Sequence, residues 1–249
     1  MFDGVTLARV LGIVFAATML AISSSVKAGD VEECRGAAAL LKTDSSKAVP
    51  AKAVSACRRL ADGKNSDAQY TLGNVYLTGR GVKQNYKEAM KWFRRAADQG
   101  DADAQSNLGY MFAEGWGVPQ NYKEAAKWFR KAAERGNVRA QSNLGALYAV
   151  GQGVPEDDRE ALKWWRKAAE QGNARAQHNV GVMYAVGRGA ARDLVQAYMW
   201  LQLAAATYPA GADRDAAANN RDDVGSEMTA SQIGKAKKMA AEWKPKPVQ

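Results

Sequence analysis

The sequence predicts an all-α solenoid built from helix-turn-helix repeats, and three observations carry that prediction. The chain repeats itself every 36 residues, without a gap, across four copies, and a fixed period of that length marks a repeat architecture. Leu72, Leu108, Leu144 and Val180 follow the period, as do Gly73, Gly109, Gly145 and Gly181, and Trp92, Trp128, Trp164 and Trp200. Within each copy the apolar positions recur at steps of three and four, which is the period of a helix face. The two apolar stretches of each copy are separated by glycine-rich breaks, and side chains that cap helix N-termini stand at both starts.

Residues 1–28 read as a signal peptide: Arg9 precedes an apolar run from Val10 to Ile22, and Val26-Lys27-Ala28 offers small residues three and one before a cut. The run is 13 residues long, short of the roughly 20 that cross a bilayer. Removing Asp3, Arg9 and Lys27 with it takes the formal charge from +9 to +8, so the exported chain stays basic. The expected location is the periplasm or the exterior. Oxidising conditions there favour a bridge between Cys34 and Cys57, the alternative being two buried free thiols.

Residues 29–65 form a degenerate leading pair. Arg58-Arg59-Leu60-Ala61-Asp62 stands one period before Arg94-Arg95-Ala96-Ala97-Asp98, so Val49 to Asp62 reads as a second helix and Val31 to Leu41 as a first. Ala56 replaces the repeat tryptophan, and the glycine loop is missing. Four repeats follow, over 66–101, 102–137, 138–173 and 174–209. In the second of these, Gly100 ends one helix and Asp101 caps the next, whose stripe is Ala104, Leu108 and Phe112. Gly115 and Gly117 break that helix A. Asn121 then caps helix B with Glu124 three residues on, the spacing of a capping box, and Ala125, Trp128, Phe129 and Ala132 form its buried face. The same spacing recurs at Asn85/Glu88, Asp157/Glu160 and Asp193/Gln196. After Ala205 the pattern fades into a polar stretch up to Glu227. Within 210–243 it acts as a linker before a capping helix, announced by Thr229-Ala-Ser-Gln232 and ending near Trp243; residues 244–249 read as a frayed tail.

The pattern A-x-x-L-G-x-x-Y-x-x-G-x-G-V, then A-x-x-W, then A-A-x-x-G, resembles the Sel1-like repeat, a relative of the tetratricopeptide repeat, from Ser66 to about Ala205. The resemblance implies a right-handed α/α superhelix acting as an adaptor or scaffold in protein complexes. In bacteria such proteins often act in the envelope, in signalling, exopolysaccharide or host-interaction systems. Some cysteine-rich relatives, with a cysteine pair in each repeat, are linked with penicillin binding or β-lactamase activity. Residues 66–209 contain no cysteine here, and the chain after residue 28 has no S-x-x-K.

Catalytic chemistry is otherwise unsupported. His178 is the single histidine, at a helix-A position held elsewhere by Tyr70, Ser106 and Ser142, so neither a hydrolytic triad nor a metal site can be assembled around histidines. The glycine loops lack a following G-K-[ST], and no cofactor is expected.

Specificity in a repeat array resides where matching repeats differ. On helix A, the stripe away from the Leu and Tyr side selects Asp67, Tyr70, Asn74 and Thr78; Asp103, Ser106, Tyr110 and Glu114; Arg139, Ser142, Ala146 and Val150; and Arg175, His178, Val182 and Val186. Resemblance to tetratricopeptide domains implies that this stripe lines the concave face. It runs from acidic to apolar-plus-basic, and would suit a protein segment with a basic part and an acidic, apolar part. Trp116, between two loop glycines, reads equally as a contact anchor and as cover for a neighbouring loop. Helix B gathers Lys87, Lys91, Arg94, Lys123, Lys127, Arg130, Lys163 and Arg166 on its outer side, where Glu88, Glu124 and Glu160 can pair with lysines three residues on. An anionic polysaccharide or membrane surface is the alternative ligand, through this basic side. Nucleic acid is not an expected partner of an exported chain.

Overall fold

The computed structural model describes residues 26–44 and 46–247, so most of the leader expected over 1–28 lies outside the described residues. Among those residues there are twelve helices and no strand, and no helix is long and apolar enough to cross a membrane. The chain divides into two compact units, Met1–Gln99 and Gly100–Gln249.

The first unit contains α1 (Asp30–Thr43), α2 (Ala51–Asp62), α3 (Ser66–Thr78) and α4 (Tyr86–Asp98). Each helix packs on the next, and Cys34, Ala37, Val54, Cys57, Leu72, Val75 and Trp92 share one core. Cys34 and Cys57 are bonded, joining the middle of α1 to α2. Arg80, in the loop after α3, donates to the carbonyl oxygens of Leu40 (2.9 Å) and Lys47 (2.7 Å), and to that of Asp44, so it clasps the end of α1 and the segment leading to α2.

Asp30 is buried in the first turn of α1 and accepts from Arg59 Nε at 2.8 Å and from its terminal nitrogen at 2.5 Å. The Arg59 hydrogen bonds outweigh the burial penalty and lower the Asp30 carboxyl from 3.8 to about 2. A depressed carboxyl contributes stability that is fully present above its unfolded value and is lost as pH falls through the folded one. The unfolding midpoint of the Asp30→Asn variant should therefore lie below that of the native chain above about pH 4, and the gap should close toward pH 2. A gap that stays constant from pH 6 to pH 2, by circular dichroism, would contradict the assignment.

The second unit contains α5 (Ala102–Glu114), α6 (Tyr122–Glu134), α7 (Val138–Val150), α8 (Asp158–Glu170), α9 (Ala174–Val186) and α10 (Leu194–Thr207), then α11 (Ala212–Ser226) and α12 (Ala230–Glu242). Consecutive helices pair from α5 to α10, and α11 and α12 both pack on α10. The helix-A glycines are sites of close approach. A Cβ on Gly109 would lie 2.5 Å from the Phe129 ring, on Gly145 2.7 Å from Trp165, and on Gly181 2.6 Å from Leu201. Gly153 and Gly189 have a similar task beyond their backbone angles: a Cβ on Gly153 would lie 2.2 Å from the carbonyl carbon of Tyr122, and one on Gly189 2.4 Å from the carbonyl oxygen of Asp158, each at the start of the preceding helix B.

Two expectations need correction. At Asn85, Asn121, Asp157 and Asp193 the N-cap side chain accepts from the backbone of the residue three positions on, as expected. The reciprocal arm of a capping box is absent at these four sites; the cap residue's own N–H donates to a helix-A carbonyl oxygen, as Asn121 does to Phe112 at 2.8 Å. That bond ties helix B to helix A, while Glu124 is left to pair with Lys127 at 2.6 Å. The full box forms at Thr229/Gln232. The second correction is α11, a helix of 15 residues where a polar linker was expected. Its alanines favour helix, and burial of Ala217 and Val224 docks it although its other faces are rich in Asp, Asn and Arg.

Candidate partner-binding face

In the second unit the expected stripe lies on α5, α7 and α9, each held by an Asp or Asn N-cap and ended by a left-handed glycine. Its members separate by exposure. Asp103, Tyr110, Glu114, Arg139, Val150 and Arg175 are exposed. Ser106 and Ser142 are buried at 3% and 5% exposure, so they do not belong to a contact surface as drawn. Small side chains there let helix B approach, and Trp165 Nε1–H donates to the Ser142 carbonyl oxygen at 3.0 Å.

The exposed apolar members stand out. Tyr110, Val150 and Val186 are 42%, 61% and 59% exposed and, with Val26 and Val31 near the N-terminus, complete the exposed large hydrophobic side chains of the described residues. Trp116 is half-buried and meets the Tyr110 ring edge-on at 5.1 Å. Single exposed apolar residues are ordinary, but Val150 and Val186 end α7 and α9 at matching positions, and Tyr110, one turn inside the end of α5, has Trp116 beside it, so each A helix of the unit offers apolar surface that gains by being covered.

The charges are less polarised than the sequence suggests. Arg139 lies 3.7 Å from Asp103, which also accepts from Asn137 Nδ2 at 2.8 Å, so part of the expected gradient closes on itself. At the last repeat α11 shares the stripe: Asn220 Nδ2 is 2.8 Å from His178 Nε2, and Tyr208 faces the His178 ring at 6.5 Å. Burial lowers the His178 pKa, opposed by the charge of Asp213, so the neutral ring is favoured. Val182 packs half-buried against the neighbouring core. In the first unit, Asp67 is exposed, Tyr70 is half-buried beside Phe93 at 5.9 Å, and Asn74 donates to the Tyr70 carbonyl oxygen at 3.0 Å.

The basic side of helix B is largely engaged locally. Lys91, Lys127 and Lys163 lie 3.7, 2.6 and 2.7 Å from Glu88, Glu124 and Glu160. Lys131 and Lys167 sit over the Trp128 and Trp164 rings at 4.2 and 4.6 Å. No group of three or more His, Cys, Asp or Glu residues able to hold a metal ion occurs among the described residues.

Each unit also buries glutamines whose role the sequence reading missed. Gln69, Gln105, Gln141 and Gln177 recur at the 36-residue period and are buried. Gln141 and Gln177 donate to the carbonyl oxygens of Ala133 and Ala169 at 3.1 and 3.3 Å, stitching each helix A to the preceding helix B. Their period was a legible signal; their polarity concealed their burial.

The Sel1 repeat family matches residues 66–101, 102–137, 138–173 and 174–206. No curated protein matches the chain. Among solved structures, c5321 of uropathogenic Escherichia coli, a protective antigen displaying an SLR fold, is 35% identical with a TM-score of 0.75, over 89% of this chain and 46% of that one. A Sel1 repeat protein from Oxalobacter formigenes is 35% identical with a TM-score of 0.63, over 70% and 49%. The chain thus spans about half the length of each. The immunity protein Pa5087 from Pseudomonas aeruginosa, 20% identical with a TM-score of 0.50 over 89% and 90%, shares the fold. Sel1 repeat proteins typically mediate protein–protein interaction and are generally non-enzymatic. With more than half of its residues in four matched repeats, the chain belongs to the Sel1 repeat family.

Proposed function

We propose that this protein is an exported, non-enzymatic scaffold that holds a partner protein of the bacterial envelope on its helix-A face. The observation that carries the reading is the exposed set Tyr110, Val150 and Val186 on the three A helices of one unit, with Trp116 braced against Tyr110. An amphipathic segment would bury its apolar side on these residues and set a cation near Glu114 and an anion near Arg175. Export is supported by the leader pattern over 1–28 and by the Cys34–Cys57 bond, which suits an oxidising compartment.

A photo-crosslinking side chain placed at Val150 of the full chain, in its native cell envelope, should give a discrete protein adduct, whereas the same probe at Lys127 on helix B should not. Val186→Glu should reduce the Val150 adduct about tenfold, an effect of ~1.4 kcal/mol on binding, without altering the fold, because Val186 is 59% exposed. Equal adducts from positions 150 and 127 would refute the assigned face.

A further inference from the structure

We propose that the edge of the second unit carries a groove for an extended, basic peptide with alternating prolines, and that the chain's own C-terminal tail is its exchangeable resident. Of the tail expected to fray, the described residues up to 247 stay against the unit beyond the end of α12. Trp243 meets the Trp200 ring edge-on at 6.3 Å, and Pro245 lies over Gly172, 3.8 Å from where a Cβ would stand. Lys246 donates its backbone N–H to the Glu170 carbonyl oxygen at 2.8 Å and sets its Nζ 2.9 Å from Glu170 Oε2. Lys246 and Pro247 then share a cavity with Ala133, Glu134 and Gly136 of the preceding repeat and with Gln141 of the same one.

The chemistry of this strip is specific. Glu170 is the last residue of α8, where helix carbonyls lack partners along the helix and the dipole is negative, so one residue offers an acceptor, a carboxylate and a favourable field to one lysine. The flanking prolines have no N–H and hold φ near the polyproline value, so the Lys246 amide is the one main-chain donor between them, presented by a chain with little freedom left to lose. The strip also repeats. Glu134 and Gly136 stand one period before Glu170 and Gly172, so the next stretch offers the same pair: a flat glycine for a proline and a carboxylate for a cation. The bound tail therefore defines the ligand class, a segment of another protein in which lysine alternates with proline. One main-chain hydrogen bond and an ion pair whose lysine is 65% exposed leave the tail able to exchange with it.

The test follows the Lys246 amide of the full-length protein by hydrogen exchange in NMR, with the peptide acetyl-Lys-Pro-Lys-Pro-amide as competitor. We expect exchange at least about tenfold slower than in the free peptide, return to the free rate at millimolar competitor, and a loss of about fivefold in protection in Glu170→Gln. A competitor with alanine in place of both prolines should need about tenfold higher concentration. The proposal is overturned if Lys246 is unprotected, if excess competitor leaves its exchange unchanged, or if the alanine peptide displaces the tail equally well. Protection that vanishes on dilution would place the tail on a second copy and overturn its residence in its own groove.

Discussion

Replacing Phe129 by alanine is expected to destabilise the second unit by ~3–5 kcal/mol, the largest effect of any single substitution considered for this chain. Phe129 is 2% exposed and packs with Ala125, Ala132, Leu144 and Leu147, so truncation removes transfer energy and leaves a cavity. Its ring also fills the space a side chain at position 109 would need. Gly109→Ala should therefore cost about 1–2 kcal/mol in the native chain, where overpacking exceeds the gain in helix propensity. In the Phe129→Ala background the added methyl enters vacated space, the propensity gain of about 1 kcal/mol is left uncancelled, and the same substitution becomes stabilising. The reversal of sign, read from urea unfolding of the two single variants and the double, is the diagnostic outcome. Additive effects would mean that Gly109 is required for something other than approach to Phe129.

The internal repeats already display the logic of that pair. Gly73, Gly109, Gly145 and Gly181 face Phe93, Phe129, Trp165 and Leu201, so the partner changes while the glycine does not. Such positions are legible in sequence because the helix period, the caps and the 36-residue spacing all agree on them. Where the levels disagree, the reading weakens. Ala212–Ser226 has the composition of a linker, and only Ala217 and Val224 are buried, so its helix rests on docking that no sequence pattern announces. Ser106 and Ser142 look like surface residues by type and by helical position, yet their small size suits them to a tight contact. The tail Lys244-Pro-Lys-Pro lacks any helical signal; its order comes from carbonyl and carboxylate groups more than seventy residues away, which local reading does not register. The exposed apolar face was partly legible: periodicity placed Tyr110, Val150 and Val186 on one side, while the Asp103–Arg139 contact that blunts its charge required the fold.

Removing the disulfide with Cys34→Ala and Cys57→Ala together is expected to cost ~3 kcal/mol, concentrated in residues 30–62. The bond links residues 23 apart, and closing a loop of that length withdraws about this much entropy from the unfolded chain. Alanine in place of serine keeps both sites apolar, which matters because Cys57 is 0% exposed and Cys34 5%. The consequence is local because α1, the first of the described helices, has few buried residues, Asp30, Cys34 and Ala37. Without the bond it is held by the Asp30–Arg59 pair and by Arg80 at its C-terminal end, and these polar contacts cannot replace a covalent link to α2. Opening of α1 is then expected to precede unfolding of the repeats, since few buried contacts hold it. Hydrogen exchange should show protection in 30–43 reduced by about 100-fold, the equivalent of ~3 kcal/mol, with residues 102–186 unaffected. A uniform loss across the chain would show that the leading pair nucleates the array and does not merely cap it.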